Sequence, residues 1–282
     1  MSSVGTQRTR TARPRPATPA AAADFSGVTE LPGNLAHREQ LAILYTRYRW
    51  AARHCRDKDV LEVACGAGQG LGYLRKAARW VVGGDIEEKN LRFARQHYRD
   101  RDGIEVRHLD AKSLPFADGT FDTVVFFEAI YYLDDPRKFL DEARRVLRPG
   151  GTLLLSSVNC QWHGFNPSPF SVRYYTGAEL TELLQDGGFR PRLLAAFRDE
   201  PGSASRKAVA WLRRIASSLH LIPKTMKGKA LLKRLFYGPL KSIPAEMDEG
   251  MAEAAPMEEV EAGRPLREFK MLYVEGVLRR SS

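Results

Sequence analysis

Short apolar runs alternate with helically spaced segments through the middle of this chain. Runs such as Val60, Leu61 and Val63, or Val124, Val125, Phe126 and Phe127, have the length and composition of strands buried on both faces. The pattern predicts strands near 59–64, 80–85, 104–108, 121–127, 152–157 and 190–197. Helices are predicted near 70–78, 87–99, 136–147 and 177–186, so strand and helix alternate as in a parallel doubly wound sheet. An earlier helix is predicted over 34–54, where Leu35, Leu41, Leu44, Tyr45, Tyr48 and Ala52 keep helical spacing and Asn34 is placed as N-cap. After 197 the alternation breaks, and the next strand candidate comes only at 269–275.

Right-handed crossovers bring the loops that follow the parallel strands to one edge, where ligands of such sheets bind. The first of these loops holds Cys65, Gly66, Ala67 and Gly68, a glycine turn between a strand and a helix. Small residues there let the backbone turn sharply and approach a ligand. A dinucleotide fingerprint would need a third glycine, but Leu71 stands at that position. No Gly-Lys-Ser/Thr follows, so a P-loop is excluded.

With the acidic Glu62 before it, this turn resembles motif I of the class I S-adenosylmethionine-dependent methyltransferases. The resemblance continues in order through Trp80–Asp85, Asp110-Ala111 before Leu114-Pro115-Phe116, Phe121–Phe127, and the Leu147-Arg148-Pro149-Gly150-Gly151 signature of the small-molecule, type 11-like branch. It spans about half the chain, 59–197. It implies an α/β Rossmann-like methyltransferase fold, a mostly parallel seven-stranded sheet, with a helical insertion before the last strand. It also implies S-adenosylmethionine as cofactor. Glu62, Ala64, Cys65, Gly66, Gly68 and Ile86 would lie around it, Asp85 at its ribose, Asp110 and Ala111 at its adenine, and Glu128 at its amino group. A catalytically dead fold of the same type is the alternative.

Composition and charge change the picture outside the core. The hydrophobic fraction of 43% suits a globular chain, and no apolar run reaches the length of a membrane span. Cys55, Cys65 and Cys160 show no metal spacing, and their sparse number fits reduced thiols and a cytoplasmic setting. The net charge of +10 is borne by two stretches without acids, 1–23 and 204–241. The first reads as a disordered basic tail, with an organelle transit peptide as alternative. The organisation expected is therefore tail 1–23, core 24–197, a mainly helical basic and acidic insertion 198–266 as lid candidate, and the last strand with the C-terminus, 267–282. The acids Glu246, Asp248, Glu249, Glu253, Glu258, Glu259 and Glu261 are expected either to neutralise the basic part as a flap or to leave it as a lid facing an anionic acceptor.

Methyl transfer from a sulfonium needs alignment above all. Where a base is needed, His163 in the aromatic stretch 157–175 is the leading candidate, with His37 behind it. Tyr132 and Tyr131 are candidates for orienting the substrate. For each of these residues simple packing or loop hydrogen bonding is the competing role. The function expected is transfer to an O or N atom of a small-molecule acceptor, anionic or linked to lipid or sugar. An RNA methyltransferase and a peripheral membrane module are the alternatives. Nucleic acid is ranked low among partners, because no RNA-binding module is recognisable.

Overall fold

The computed structural model describes residues 30–199 and 239–279. The tail 1–23 and the predicted helices of the basic stretch up to 237 lie outside these residues. The elements run β1 (Leu35–Ala36), α1 (Arg38–Ala52), β2 (Asp59–Val63), α2 (Leu71–Arg75), β3 (Trp80–Asp85), α3 (Glu88–Tyr98), β4 (Ile104–His108), β5 (Phe121–Phe127), α4 (Pro136–Val146), β6 (Leu147–Val158), α5 (Gly177–Asp186), β7 (Phe189–Arg198), β8 (Lys241–Ser242), β9 (Met257–Glu259) and β10 (Phe269–Leu278).

The main sheet has strand order β4-β3-β2-β5-β6-β10-β7-β9. β2, β3, β4, β5 and β6 pair in parallel. β10 inserts antiparallel between β6 and β7. The seven predicted strands are all present, and β9 adds a short eighth on the outer edge of β7. Every residue of β2 is buried because helices cover both faces of the sheet. Leu61, Val63, Val124, Phe126 and Leu155 pack with α4 and α5, and Phe126 lies 4.0 Å centroid to centroid from Phe139. Val60, Val125 and Leu154 pack on the other face with α1, α2 and α3.

The start of α1 differs from expectation. His37, not Asn34, is the N-cap: its ring accepts from the Gln40 backbone, and the Gln40 side chain returns a bond to the His37 N–H. This reciprocal box fixes the helix start and leaves Leu35 and Ala36 extended. They pair with Ser242 and Lys241 in a two-stranded ribbon.

The described part of the insertion, 239–266, contains no helix. It runs as a strap across α1, α2 and α3. Ile243 is bonded to the backbone of Asn34 and Gly33, and the Met247 N–H donates to the Gln69 carbonyl at 2.9 Å. Its acids pair with side chains of the core. Glu246 meets His97 at 2.9 Å and Arg101 at 3.1 Å, Asp248 meets Lys76, Glu249 accepts from Tyr45 and Tyr73, and Glu253 meets Arg38. Exposed pairs contribute little individually. Ile243 and Met247, buried at 7% and 0% exposure, supply the apolar anchorage.

Candidate functional site

The carboxyl ends of β2, β3, β4 and β5 converge on one edge, and the local geometry there follows from the residue types. Gly66 and Gly68 take φ of 58° and 79°. Gly68 has a second constraint: a Cβ would sit 2.8 Å from that of Ala94 on α3. The Tyr98 hydroxyl of α3 donates to the Gly68 carbonyl at 2.9 Å and accepts from the Gly72 N–H. The turn is thus clamped to α3. Gly70 is small because the Tyr48 ring of α1 covers it. Non-glycine residues with left-handed backbone also gather on this edge. Ala64 (59°) follows β2, Glu128 (52°) follows β5, and Phe197 (60°) lies near the end of β7. Such conformations need support from their surroundings and cluster at functional sites.

Hydrogen bonds join the strand ends. One carboxylate oxygen of Asp85 accepts from the Gly66 N–H at 2.8 Å, the other from the Glu87 N–H at 2.8 Å. The Cys65 N–H donates to the Gly84 carbonyl, and the Leu109 N–H to the Asp85 carbonyl. Asp110 closes its own turn by accepting from the Lys112 N–H, with Ala111 half-buried between them. Ile86 stays 51% exposed beside Asp85, an apolar side chain left open at the edge. The structure therefore brings Glu62, Ala64, Cys65, Gly66, Gly68, Asp85, Ile86, Asp110, Ala111 and Glu128 to one edge. Burial holds the Cys65 thiol well above its ordinary value, which fits a packing side chain rather than a nucleophile.

Three carboxyl groups at this edge share one electrostatic condition. Burial pushes Glu62 up to about 7, against a hydrogen bond from Tyr48 and the charge of Arg47. Burial also raises Asp85, against the backbone N–H groups of Glu87, Gly66 and Ile86. It raises Glu128, against Arg47 and the Ser156 hydroxyl, which donates at 3.0 Å. Each is disfavoured as an anion until a cation comes close.

A pH dependence follows for Glu62. The unfolded chain gives up this proton near the ordinary carboxylate value and the folded chain near 7, so stability falls as pH rises between those values and is level above them. The cost above pH 7 is on the order of 3 kcal/mol. Glu62→Gln keeps an acceptor for Tyr48 and removes this cost. Its thermal midpoint is expected to exceed wild type at pH 8, with most of the gap gone at pH 5. An equal gap at both pH values would contradict the assignment.

The acceptor candidates sit further along the same edge. Tyr131 is buried and its hydroxyl lies 3.3 Å from Glu128; its ring is 4.6 Å from that of Tyr132 and 5.0 Å from Tyr174. A cavity of about 430 Å³ opens between His37, Arg38, Ala42, Phe197 and 253–256. A larger one, about 540 Å³, lies at the opposite edge around Gly150, Arg190 and Leu278, away from every candidate residue. His163 stands beyond β6, 58% exposed in its side chain, where Nδ1–H donates to the Arg267 carbonyl at 3.1 Å and Nε2 faces Asp199 at 3.2 Å. Both ring nitrogens are engaged by oxygens, and Trp162 shares Asp199. His37 is occupied as the cap of α1.

Sequence reasoning missed Arg47, Gln69 and Tyr98. Arg47 did leave a signal, since it falls on the apolar face of α1 between Leu44 and Ala51, and all three are buried.

The fold and edge define a Rossmann-like domain of the methyltransferase type. Residues 61–155 match the model of the family described as "Methyltransferase domain". A probable S-adenosylmethionine-dependent methyltransferase of Mycolicibacterium smegmatis is 38% identical over 148 residues, covering 50% of this chain and 56% of that protein. A ubiquinone biosynthesis O-methyltransferase of Dinoroseobacter shibae is 29% identical over 174 residues, covering 54% of this chain and 68% of that protein. The YcgJ protein of Bacillus subtilis shares the fold with a TM-score of 0.53 and 15% identity, over 84% of this chain and 100% of its own. The chain spans about half the length of the first of these relatives. The matched span is similar to the S-adenosylmethionine-dependent methyltransferases, a family whose cofactor is S-adenosylmethionine. The residues fit that group: Glu62 and Glu128 suit its positive charge, and Asp85, with lone pairs left on both oxygens, suits its ribose hydroxyls.

Proposed function

We propose that this protein transfers the methyl group of S-adenosylmethionine to an O or N atom of a small-molecule acceptor. The observation that carries this reading is the cluster of carboxyls beside the glycine turn, Glu62 and Asp85 buried and Glu128 half-buried, which suits a ligand bearing both hydroxyls and positive charge. When bound, S-adenosylmethionine supplies an activated methyl group on a positively charged sulfur.

The chain's own residues then bind and align. Asp85 has lone pairs left on both oxygens after its backbone bonds, enough to accept the two ribose hydroxyls. Ile86 offers an apolar face to the base. Glu62 and Glu128 take the ammonium. Tyr131, Tyr132 and Tyr174 wall the acceptor side and exclude water, which favours a transition state of dispersed charge. Alignment is the main source of rate, and it can supply ~7–11 kcal/mol.

His163 remains a candidate base only by giving up its contact with Asp199. His163→Ala is expected to lower kcat by less than about tenfold if alignment dominates, since a positioned base contributes about a hundredfold or more. A hundredfold loss, with cofactor affinity intact, would instead make His163 the base.

Acceptors of a lipid-linked or quinone type are favoured over RNA. Relatives include the ubiquinone biosynthesis enzyme and a phthiotriol/phenolphthiotriol dimycocerosates methyltransferase. No helix among the described residues is long and apolar enough to cross a membrane, so contact with a lipid-borne acceptor would be peripheral. The test is transfer of radiolabel from S-adenosylmethionine to phenolic, quinol and lipid-hydroxyl acceptors, with RNA in parallel. Label in RNA alone would overturn the small-molecule reading.

A further inference from the structure

One face of β10 is covered by α1 for only part of its length. Tyr273 packs against Trp50 of that helix, 5.5 Å between ring centres, and Glu275 lies 3.6 Å from His54 just past its end. α1 stops at Ala52, so the next residues on the same face, half-buried Val277 and exposed Arg279, lie beyond it. In the antiparallel register Glu275 stands opposite Arg192 of β7 and Val277 opposite Arg190. Opposed residues share a face, and same-face positions recur every second residue. Arg190, Arg192 and Arg279 are therefore neighbours. Arg192 meets Glu259 at 2.8 Å and Glu275 at 3.6 Å. Further arginines at this end of the sheet are paired as well, Arg79 with Asp59, and Arg148 with Asp59 and Asp122. Arg190 and Arg279 are exposed, and neither guanidinium has a hydrogen-bond or ion-pair partner among the described residues.

The cavity of about 540 Å³ opens here, lined by Gly150, Arg190, Val277, Leu278 and Arg279. The Arg279 N–H donates to the Gly188 carbonyl at 3.2 Å, which carries the register one residue past β10. Arg190 and Arg279 are thus diagonal neighbours, with Cβ atoms roughly 7 Å apart. Two like charges at that spacing repel unless an anion comes between them. A guanidinium takes a carboxylate through two parallel N–H groups. A phosphate is less well served. α4 and α5 end towards this edge and present carbonyls, not the N–H groups that gather phosphates. Among the described residues the lining holds no lysine, histidine or hydroxyl. We propose that this cavity binds a small dicarboxylate. One carboxylate lies on Arg190, the other on Arg279, and the hydrocarbon middle rests against Val277 and Leu278. The site is at the amino ends of the parallel strands, the ten residues of β10 away from the glycine turn's edge, or roughly 30 Å. It stands apart from the cofactor and acceptor regions and does not depend on the function proposed above.

The test titrates the full chain with glutarate at constant ionic strength and reads the thermal midpoint, with butyrate and inorganic phosphate in parallel. A ligand that binds only the folded state raises the midpoint with ligand concentration. Glutarate is expected to raise it. Butyrate, with one carboxylate, is expected to be at least about tenfold less potent, the value of one charged, hydrogen-bonded contact. Arg190→Gln and Arg279→Gln are each expected to weaken glutarate by at least about tenfold as well. Both side chains are exposed, so both variants are expected to fold. Four results would overturn the proposal. They are no rise with glutarate, equal potency of butyrate or phosphate, a rise that survives in the double variant, and competition between glutarate and S-adenosylhomocysteine. The titration itself uses no cofactor, so failure of the methyl-transfer reading would leave its outcome standing.

Discussion

Asp85→Ala is expected to weaken binding of S-adenosylhomocysteine by at least about tenfold and up to several hundredfold. Hydrogen bonds to a charged acceptor are worth ~1.5–3 kcal/mol each, and 1.4 kcal/mol is a decade of affinity. Two effects combine in this variant. On the proposed reading the ribose hydroxyls lose their acceptor, and the Gly66 and Glu87 N–H groups, now held at 2.8 Å, lose theirs. The second effect loosens the glycine turn, so a modest fall in thermal midpoint should accompany the loss of affinity. Asp85→Asn separates the two, because it keeps an oxygen for one of the backbone groups while removing the charge. Titration calorimetry is the check, and an unchanged Kd in Asp85→Ala would leave Asp85 with only the loop to hold.

Met247→Ala is expected to destabilise the protein by about 2–5 kcal/mol, the usual cost of emptying a fully buried site of this size. Met247 is 0% exposed in the cluster that also holds Leu71, Leu74 and Tyr48. If the strap were a loose flap, the same change would cost only a few tenths. Denaturant unfolding at constant m-value distinguishes the two. The neighbouring contact sharpens the expectation: the Met247 N–H bonds to the carbonyl of Gln69, so loss of the strap is felt next to the glycine turn.

The parallel core was legible because burial on both faces leaves uninterrupted apolar runs, and β2, β3 and β5 carry them. The glycine turn and Asp85 were legible because few residue types can make that turn and close it with a carboxylate. The start of α1 was misplaced at Asn34 because Asn is the better cap in isolation. His37 won through Gln40, and through pairing of Leu35 and Ala36 with residues two hundred positions away. The strap was unreadable for the same reason. Its acids look like a uniform charged run, and only the fold shows that Glu246 fits between His97, Arg101 and the backbone of Gly72. Arg47 hides in a helix pattern where an occasional cation on the apolar face is ordinarily ignored. Its ion pair with Glu30 joins residues on either side of the turn that precedes the helix, which the helical pattern does not reveal.

The most direct test of the account is a calorimetric titration of the folded, full-length chain with S-adenosylmethionine, with NAD and ATP as comparisons, repeated at pH 6 and pH 8. The account predicts one site for S-adenosylmethionine and none for the other two. It also predicts tighter binding at pH 8, because Glu62, raised to about 7, is then ionised to meet the cation. A folded sample that binds NAD or ATP in its place, or that does not bind S-adenosylmethionine at either pH, would contradict it.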